Sequence, residues 1–145
     1  DASPGAVTVR GGSLTGGVFD LNAMPDALPA LAVAGCFAAG ETRLVNVAQA
    51  RVKETDRIAV MCAELRKMGA DIEELADGIL VRGRTLRGAS VRGHGDHRVV
   101  MSLAVAGLAA SGKTAIDTAE CVSVTFPGFM ELVKSLGGNI SIAEE

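Results

Sequence analysis

The chain has 145 residues and a mass of 14.8 kDa, with 48% hydrophobic and 21% charged residues. That is the mix of a single globular domain, long enough to bury roughly 70% of its unfolded surface, and it excludes a disordered or fibrous protein. Fourteen Lys and Arg against 17 Asp and Glu give a net charge of −3, with no Trp or Tyr and four Phe, so no nucleic-acid partner is expected.

Short strands are predicted at Val7–Arg10 and Val18–Leu21. The segment Asp26–Ala39 is apolar nearly all round and reads as a helix buried on all sides. A strand Thr42–Val47 follows. The helix Glu54–Met68 carries Ile58, Met61, Cys62, Leu65 and Met68 on one stripe, and Gly69 stops it. Strands Asp71–Leu75 and Ile79–Arg82 flank Ala76-Asp77-Gly78, a turn signal. Beyond these come a strand Ser90–Arg92, a helix Asp96–Ala110, a strand Thr114–Thr118, a helix Pro127–Leu136 and a strand Asn139–Ile142. Phe129, Leu132, Val133 and Leu136 form the apolar stripe of the last helix.

The pattern repeats. LAVAGCFAAGET from Leu31 matches LAVAGLAASGKT from Leu103 at an offset of 72 residues, and ELRKMGADI from Glu64 matches ELVKSLGGNI from Glu131. Two βαβαββ-like units follow, at about residues 7–83 and 84–145. The fold class is α/β (α+β), with buried helices packed inside sheets.

Cys36, Cys62 and Cys121 are odd in number, widely spaced and set in apolar stretches. They read as buried free thiols in a reducing, cytoplasmic compartment, and without CxxC spacing they predict no zinc site. The opening DASPGAVTVRGG lacks a signal peptide's basic and apolar regions. The apolar stretches 27–39 and 99–110 fall short of the ~20 residues of a membrane span, so no membrane partner is expected. Beginning at Asp1 rather than Met, the sequence reads as processed or as an excerpt.

Gly107 to Thr114 matches the phosphate-loop pattern GxxxxGK[ST]. That motif needs a strand before it and a helix after it, and the order here is the reverse. Gly40 and Gly112 are read instead as helix C-cap glycines.

Charge gathers where helices begin: Asn22-Ala-Met-Pro-Asp26, Arg51-Val-Lys53-Glu54-Thr-Asp56-Arg57 and Gly95-Asp96-His97-Arg98. Helix N-termini favour anions, and Arg57 and Arg98 add planar forks for carboxylate or phosphate. Each residue has a plainer reading: Asp26 as an N-cap or first-turn carboxylate, Lys53 and Glu54 as a solvated surface pair, Asp56 as a dipole partner, His97 as a polar helix start. Cations at helix N-termini oppose the dipole, and a polyanionic ligand would justify them.

PDALPALAVAG, RVKETDRI, GDHRVVMSLAVAG and VTFPGF, in this order and spacing, resemble the EPSP synthase (3-phosphoshikimate 1-carboxyvinyltransferase) family from about Val7 onward. The resemblance implies an enolpyruvyl transferase fold of two lobes with three units each, this chain giving the last two units of the C-terminal lobe. It implies transfer of the enolpyruvyl group of phosphoenolpyruvate to the 5-hydroxyl of shikimate 3-phosphate, in aromatic amino acid biosynthesis, without metal or cofactor. By motif, Asp26 resembles the base for the 5-hydroxyl and Glu54 the acid that protonates the methylene. Lys53 resembles a ligand of the shikimate phosphate that assists proton transfer, Arg57 and Arg98 the phosphoenolpyruvate clamp with His97 beside it, and Gln49 a polar contact to the shikimate phosphate. Adding a hydroxyl to one enol carbon while protonating the other needs a carboxylate and a carboxylic acid together. Many family members carry a lysine where Val124 stands.

The N-terminal lobe would supply the remaining contacts, so this chain alone is expected to be inactive. An upstream extension of roughly 280 residues is expected from the size of the units. Two alternatives stand beside the enzyme lobe: a non-catalytic module binding an anion or a partner chain, and the related transferase acting on a UDP-sugar, which lacks support in a UDP-sugar contact pattern.

Overall fold

Pro29 lacks an N–H and is tolerated only in the first turn of a helix. The predicted helix at Asp26 therefore divides: Pro25–Ala27 forms a 3₁₀ turn and α1 runs Leu28–Cys36 in the computed structural model, which describes residues 2–3 and 5–143. α1 ends early because the Ala39 amide donates to Leu14 O at 2.8 Å, drawing the chain toward residues 14–16.

The strands are β1 (Ala2–Ser3), β2 (Ala6–Val7), β3 (Val18–Asp20), β4 (Glu41–Val45), β5 (Asp71–Leu75), β6 (Gly78–Arg82), β7 (Ser90–Val91) and β8 (Ala115–Ile116). The remaining helices are α2 (Arg57–Lys67), α3 (His97–Ala109) and α4 (Phe129–Ser135), with 3₁₀ segments at Ala48–Val52 and Ala119–Val124. One sheet has the order β3-β4-β6-β5, with β3 parallel to β4 and the other pairs antiparallel; β7 and β8 pair in parallel, and β1 and β2 antiparallel. α1 packs on β4, β6, α2 and α3. Leu28, Leu44, Ile58, Met61, Leu65, Ile79, Val81, Val99 and Leu103 form the core where these elements meet.

The predicted stripe of α2 is fully buried from Ile58 to Met68. α2 starts at Arg57 rather than Glu54 because the Asp56 carboxylate caps it, accepting from the Ala59 amide at 3.0 Å. Gly69, in the left-handed region, ends it as expected.

The 72-residue offset reappears in the contacts. Val18 pairs Arg43 as Ser90 pairs Ala115, and the bridge Thr15–Ala39 recurs as Arg87–Ser111. A Cβ on Gly16 would lie 2.3 Å from Glu41 O, and one on Gly88 2.2 Å from Lys113 O.

Several expectations need correction. Residues 139–142 form no strand: β5, their counterpart, is held by β6, and nothing among the described residues pairs with 139–142 in that way. The strand predicted at Thr114–Thr118 shrinks to β8, and that at Val7–Arg10 to Ala6–Val7. Phe129 and Val133 of α4 are buried, whereas Leu132 and Leu136, the latter just past the helix end, are 44% and 79% exposed, because Val100, Ala104 and Val122 cover one side of the helix. Helix burial is incomplete as well, with Ala30 of α1 and Val105 and Leu108 of α3 exposed. Gly40 and Gly112 adopt positive φ, yet lie in the helix-to-strand loops rather than directly after α1 and α3. Gly78 pairs with Leu75 instead of lying in the turn; a Cβ there would sit 1.9 Å from Leu44 O. Cys36 and Cys62 are buried, and burial pushes their thiols up to about 12 and about 11; Cys121 is only partly buried.

Candidate active site

The three charged segments converge at one corner, where α1, α2 and α3 begin. Asp26, on the 3₁₀ turn before α1, receives Arg57 Nη1 at 2.9 Å, Arg98 Nη2 at 3.1 Å and Lys53 Nζ at 3.5 Å. Its carboxylate makes no cap hydrogen bond, so of the two plain readings the N-cap does not hold, while the first-turn carboxylate does, in the 3₁₀ turn Pro25–Ala27. Burial would raise its pKa, but Arg98, Lys53 and Arg57 outweigh that and hold it below the ordinary carboxylate range.

Arg57 stands behind this corner with a side chain 1% exposed. Its Nε donates to Asp96 Oδ2 at 2.7 Å, Nη1 to Asp26, and Nη2 to Glu54 Oε2 at 2.7 Å and Asp96 Oδ1 at 3.2 Å. Burial disfavours its charge, but the Asp96 hydrogen bonds, with Glu54 and Asp26, more than offset this and keep the guanidinium protonated. An isolated buried cation would be costly, and the three carboxylates supply its compensation. Arg57 therefore ties three helix starts together. Lys53 and Glu54 are not a surface pair with each other: one meets Asp26 and the other Arg57.

Asp96 is the residue that the sequence reading passed over. It is fully buried and does two things at once: Oδ1 accepts from the Arg98 and Val99 amides at 2.9 and 3.4 Å, capping α3, while both oxygens receive Arg57. An Asp directly before a helical run signals a cap, but its partner lies 39 residues away.

Arg51 fixes the loop that carries Lys53 and Glu54. Its guanidinium donates to Asp56 Oδ2 at 2.8 Å, Glu74 Oε1 at 2.9 Å, Leu75 O at 2.7 Å and Ala76 O at 3.0 Å, clamping the loop to the β5–β6 turn. Gln49 Nε2 donates to Asn22 O at 3.0 Å, joining the second segment to the first. His97 opens α3 beside Arg98 and is partly exposed. Val124 ends the 3₁₀ segment before α4 and is 82% exposed. Between α1 and α3 lies a groove of about 220 Å³, lined by Asp26 and Arg98 together with apolar Val33, Met101 and Val105. The corner thus presents an ionised carboxylate, a second carboxylate 48% exposed, and two accessible cations. That set can receive an anion and exchange protons with it. No helix among the described residues is long and apolar enough to cross a membrane.

Comparison with known proteins agrees in sequence and in fold. The chain is 64% identical over 136 residues to a 3-phosphoshikimate 1-carboxyvinyltransferase of Ruminiclostridium cellulolyticum, covering 94% of this chain and 32% of that protein. It is 49% identical to the protein of the same name from Methanocella arvoryzae, covering 98% and 34%. An EPSP synthase structure from Acinetobacter baumannii superposes with a TM-score of 0.85 at 36% identity, covering 91% of this chain and 32% of that one. The chain spans about a third of the length of the relatives it matches. The family model described as EPSP synthase (3-phosphoshikimate 1-carboxyvinyltransferase) matches residues 2–133, and the chain belongs to that family.

Proposed function

We propose that this chain forms two units, about residues 7–83 and 84–145, of the C-terminal lobe of an EPSP synthase, and that it supplies one wall of a site joining shikimate 3-phosphate and phosphoenolpyruvate. The observation that supports this most is the convergence of Asp26, Lys53, Glu54, Arg57 and Arg98 through direct ion pairs.

In this reading the 5-hydroxyl oxygen of shikimate 3-phosphate bonds to C2 of phosphoenolpyruvate. Its proton passes to Asp26, and Glu54 gives a proton to C3, making a methyl group. In the second step Glu54 removes a methyl proton, the C2–C3 double bond reforms, and phosphate leaves with the C2–O electron pair. Asp26 suits the first role because it is ionised and accessible. Lys53 and Arg98 meet the substrates' anionic groups, with His97 beside Arg98 and Gln49 toward the shikimate phosphate. Arg57, as the inner arm of the phosphoenolpyruvate clamp, acts through its charge and its hold on both carboxylates rather than through a free fork. An opposing N-terminal lobe completes the site, and no cofactor takes part.

The experiment is a graft: this chain replaces the matching third of the Ruminiclostridium cellulolyticum relative, and phosphate release is followed with both substrates. Turnover is expected in the graft, with losses of about 100-fold or more for Asp26→Ala, a size typical of removing a general base. The 145-residue chain alone is expected to give negligible turnover. A non-catalytic anion-binding module is the alternative; equal shikimate 3-phosphate affinity in the chain and in its Lys53→Ala and Arg98→Ala variants would favour it.

A further inference from the structure

A second buried ionic group lies outside the corner described above. Glu64 sits on α2 two turns beyond Arg57, with its side chain 3% exposed. Oε2 accepts from Lys67 Nζ at 2.6 Å and from the Arg92 amide at 2.9 Å, while His94 Nε2 donates to Oε1 at 3.0 Å. Burial raises the Glu64 pKa, but Lys67, His94 and the Arg92 amide outweigh it and hold it below the ordinary value.

Two of these three partners belong to the bend that leads from β7 into α3. The bend is unusual in its backbone: His94 and Gly95 have φ of 55° and 67°, two left-handed residues in succession, the first bearing a side chain. Such a conformation persists only where surroundings over-determine it. The Gly93 amide donates to Asp117 Oδ1 at 2.7 Å and the Gly95 amide to Thr118 Oγ1 at 3.0 Å. Arg92 Nε lies 3.5 Å from Asp117 Oδ2 on the exposed side. A Cβ on Gly93 would lie 2.3 Å from Val100 Cγ2, so the bend packs closely against α3 at a point where only glycine fits. Asp96, His97 and Arg98 follow at once. α2 therefore grips the start of α3 twice, through Arg57–Asp96 and through Glu64–His94.

We propose that Glu64 is a positioning residue: through His94 and the Arg92 amide it fixes the bend that aims His97 and Arg98 into the site. This rests on the function proposed above, in which Arg98 meets phosphoenolpyruvate. Removing the anchor lets the first turn of α3 wander while Asp26, Lys53 and Glu54 stay in place, so the defect falls on one substrate.

The test uses the graft. Glu64→Gln keeps the shape and loses the charge; Glu64→Ala loses both; His94→Gly suits the left-handed backbone and removes the ring; His94→Gln offers an amide donor at similar reach. Glu64→Ala and His94→Gly are expected to raise the KM for phosphoenolpyruvate about tenfold, the scale of loss from sub-ångström misplacement, with the KM for shikimate 3-phosphate nearly unchanged. The double variant is expected to be no worse than the worse single one, and His94→Gln to recover part of the loss. Amide hydrogen exchange at residues 95–99 is expected to quicken in both variants, a readout that needs no turnover. Should Glu64→Ala fail to fold, Glu64→Gln and His94→Gly decide. Unchanged exchange together with an unchanged KM, additive effects, or a rise in both KM values in step with a lower Tm would overturn the proposal. An inactive unmodified graft would instead refute the proposed function and leave the exchange experiment to judge Glu64.

Discussion

The segments 15–47 and 87–119 follow one path through space and carry different chemistry. Strand register, glycine approaches and left-handed loop residues recur at the same offset, with Asn46 and Thr118 at φ of 57° and 52°. Side chains at equivalent places differ: Asp26 corresponds to Arg98, and Glu41 to Lys113. Asp26 and Arg98 meet each other at 3.1 Å. The backbone route is set by small residues under closely approaching carbonyls, which leaves the helix starts free to take opposite charges. The segments also differ in their surroundings. β4 lies inside a four-stranded sheet, whereas β8 pairs only with two-residue β7 among the described residues.

The largest expected effect breaks the link between the two segments. Arg57→Ala leaves Asp96 buried without its cation and should cost about 3–5 kcal/mol in denaturant unfolding, whereas Arg98→Ala, removing a partly exposed pair, should cost at most ~1 kcal/mol. Similar losses for the two arginines would contradict the division of roles between them. Next come Gly16→Ala and Gly88→Ala, each forcing a methyl against a carbonyl; both should lose about 1–3 kcal/mol, and a benign result at only one would break the equivalence. Hydrogen exchange sharpens the contrast in surroundings: the Leu44 and Val81 amides are expected to exchange far more slowly than those of Ala115 and Ile116.

Acid titration gives a smaller signal. The folded pKa of Asp26 lies below its ordinary value, so its contribution is complete above about pH 4 and is lost as pH falls through the lowered value. Asp26→Asn should therefore flatten the acid limb of the stability curve, as read by urea unfolding between pH 5 and 2. An unchanged limb would mean that its cations do not hold it. Val124→Lys is the smallest: at an 82% exposed position it should move stability by less than ~0.5 kcal/mol, while in the graft a lower KM for phosphoenolpyruvate would show that the side chain reaches the substrate.

Much of this was legible in the sequence because it depends on local pattern. The stripe from Ile58 to Met68 needs only a period of 3.6 residues, and the repeat needs only two matched strings. The segments holding Asp26, Lys53, Arg57 and Arg98 stand out in the sequence as charged helix starts, and the family resemblance implies one site for them. What escaped depends on partners distant in sequence. Whether Leu132 and Leu136 are covered is a property of their neighbours, not of the stripe. Gly78 looked like a turn residue, yet it is required by Leu44 O, and Asp96, placed inside the predicted helix, instead caps α3 and anchors Arg57. The helix starts moved by two or three residues because Pro29 and the Asp56 carboxylate decide them locally.

The Asp26–Arg98 contact makes proton affinity answerable to occupancy. Arg98, Lys53 and Arg57 are what hold that carboxyl below the ordinary carboxylate range. A guest phosphate or carboxylate that draws Arg98 or Lys53 toward itself weakens their hold, and Asp26 becomes a better proton acceptor at that moment. An aspartate held more acidic than usual by its cations would thus become a stronger base on the arrival of the molecule it is proposed to deprotonate.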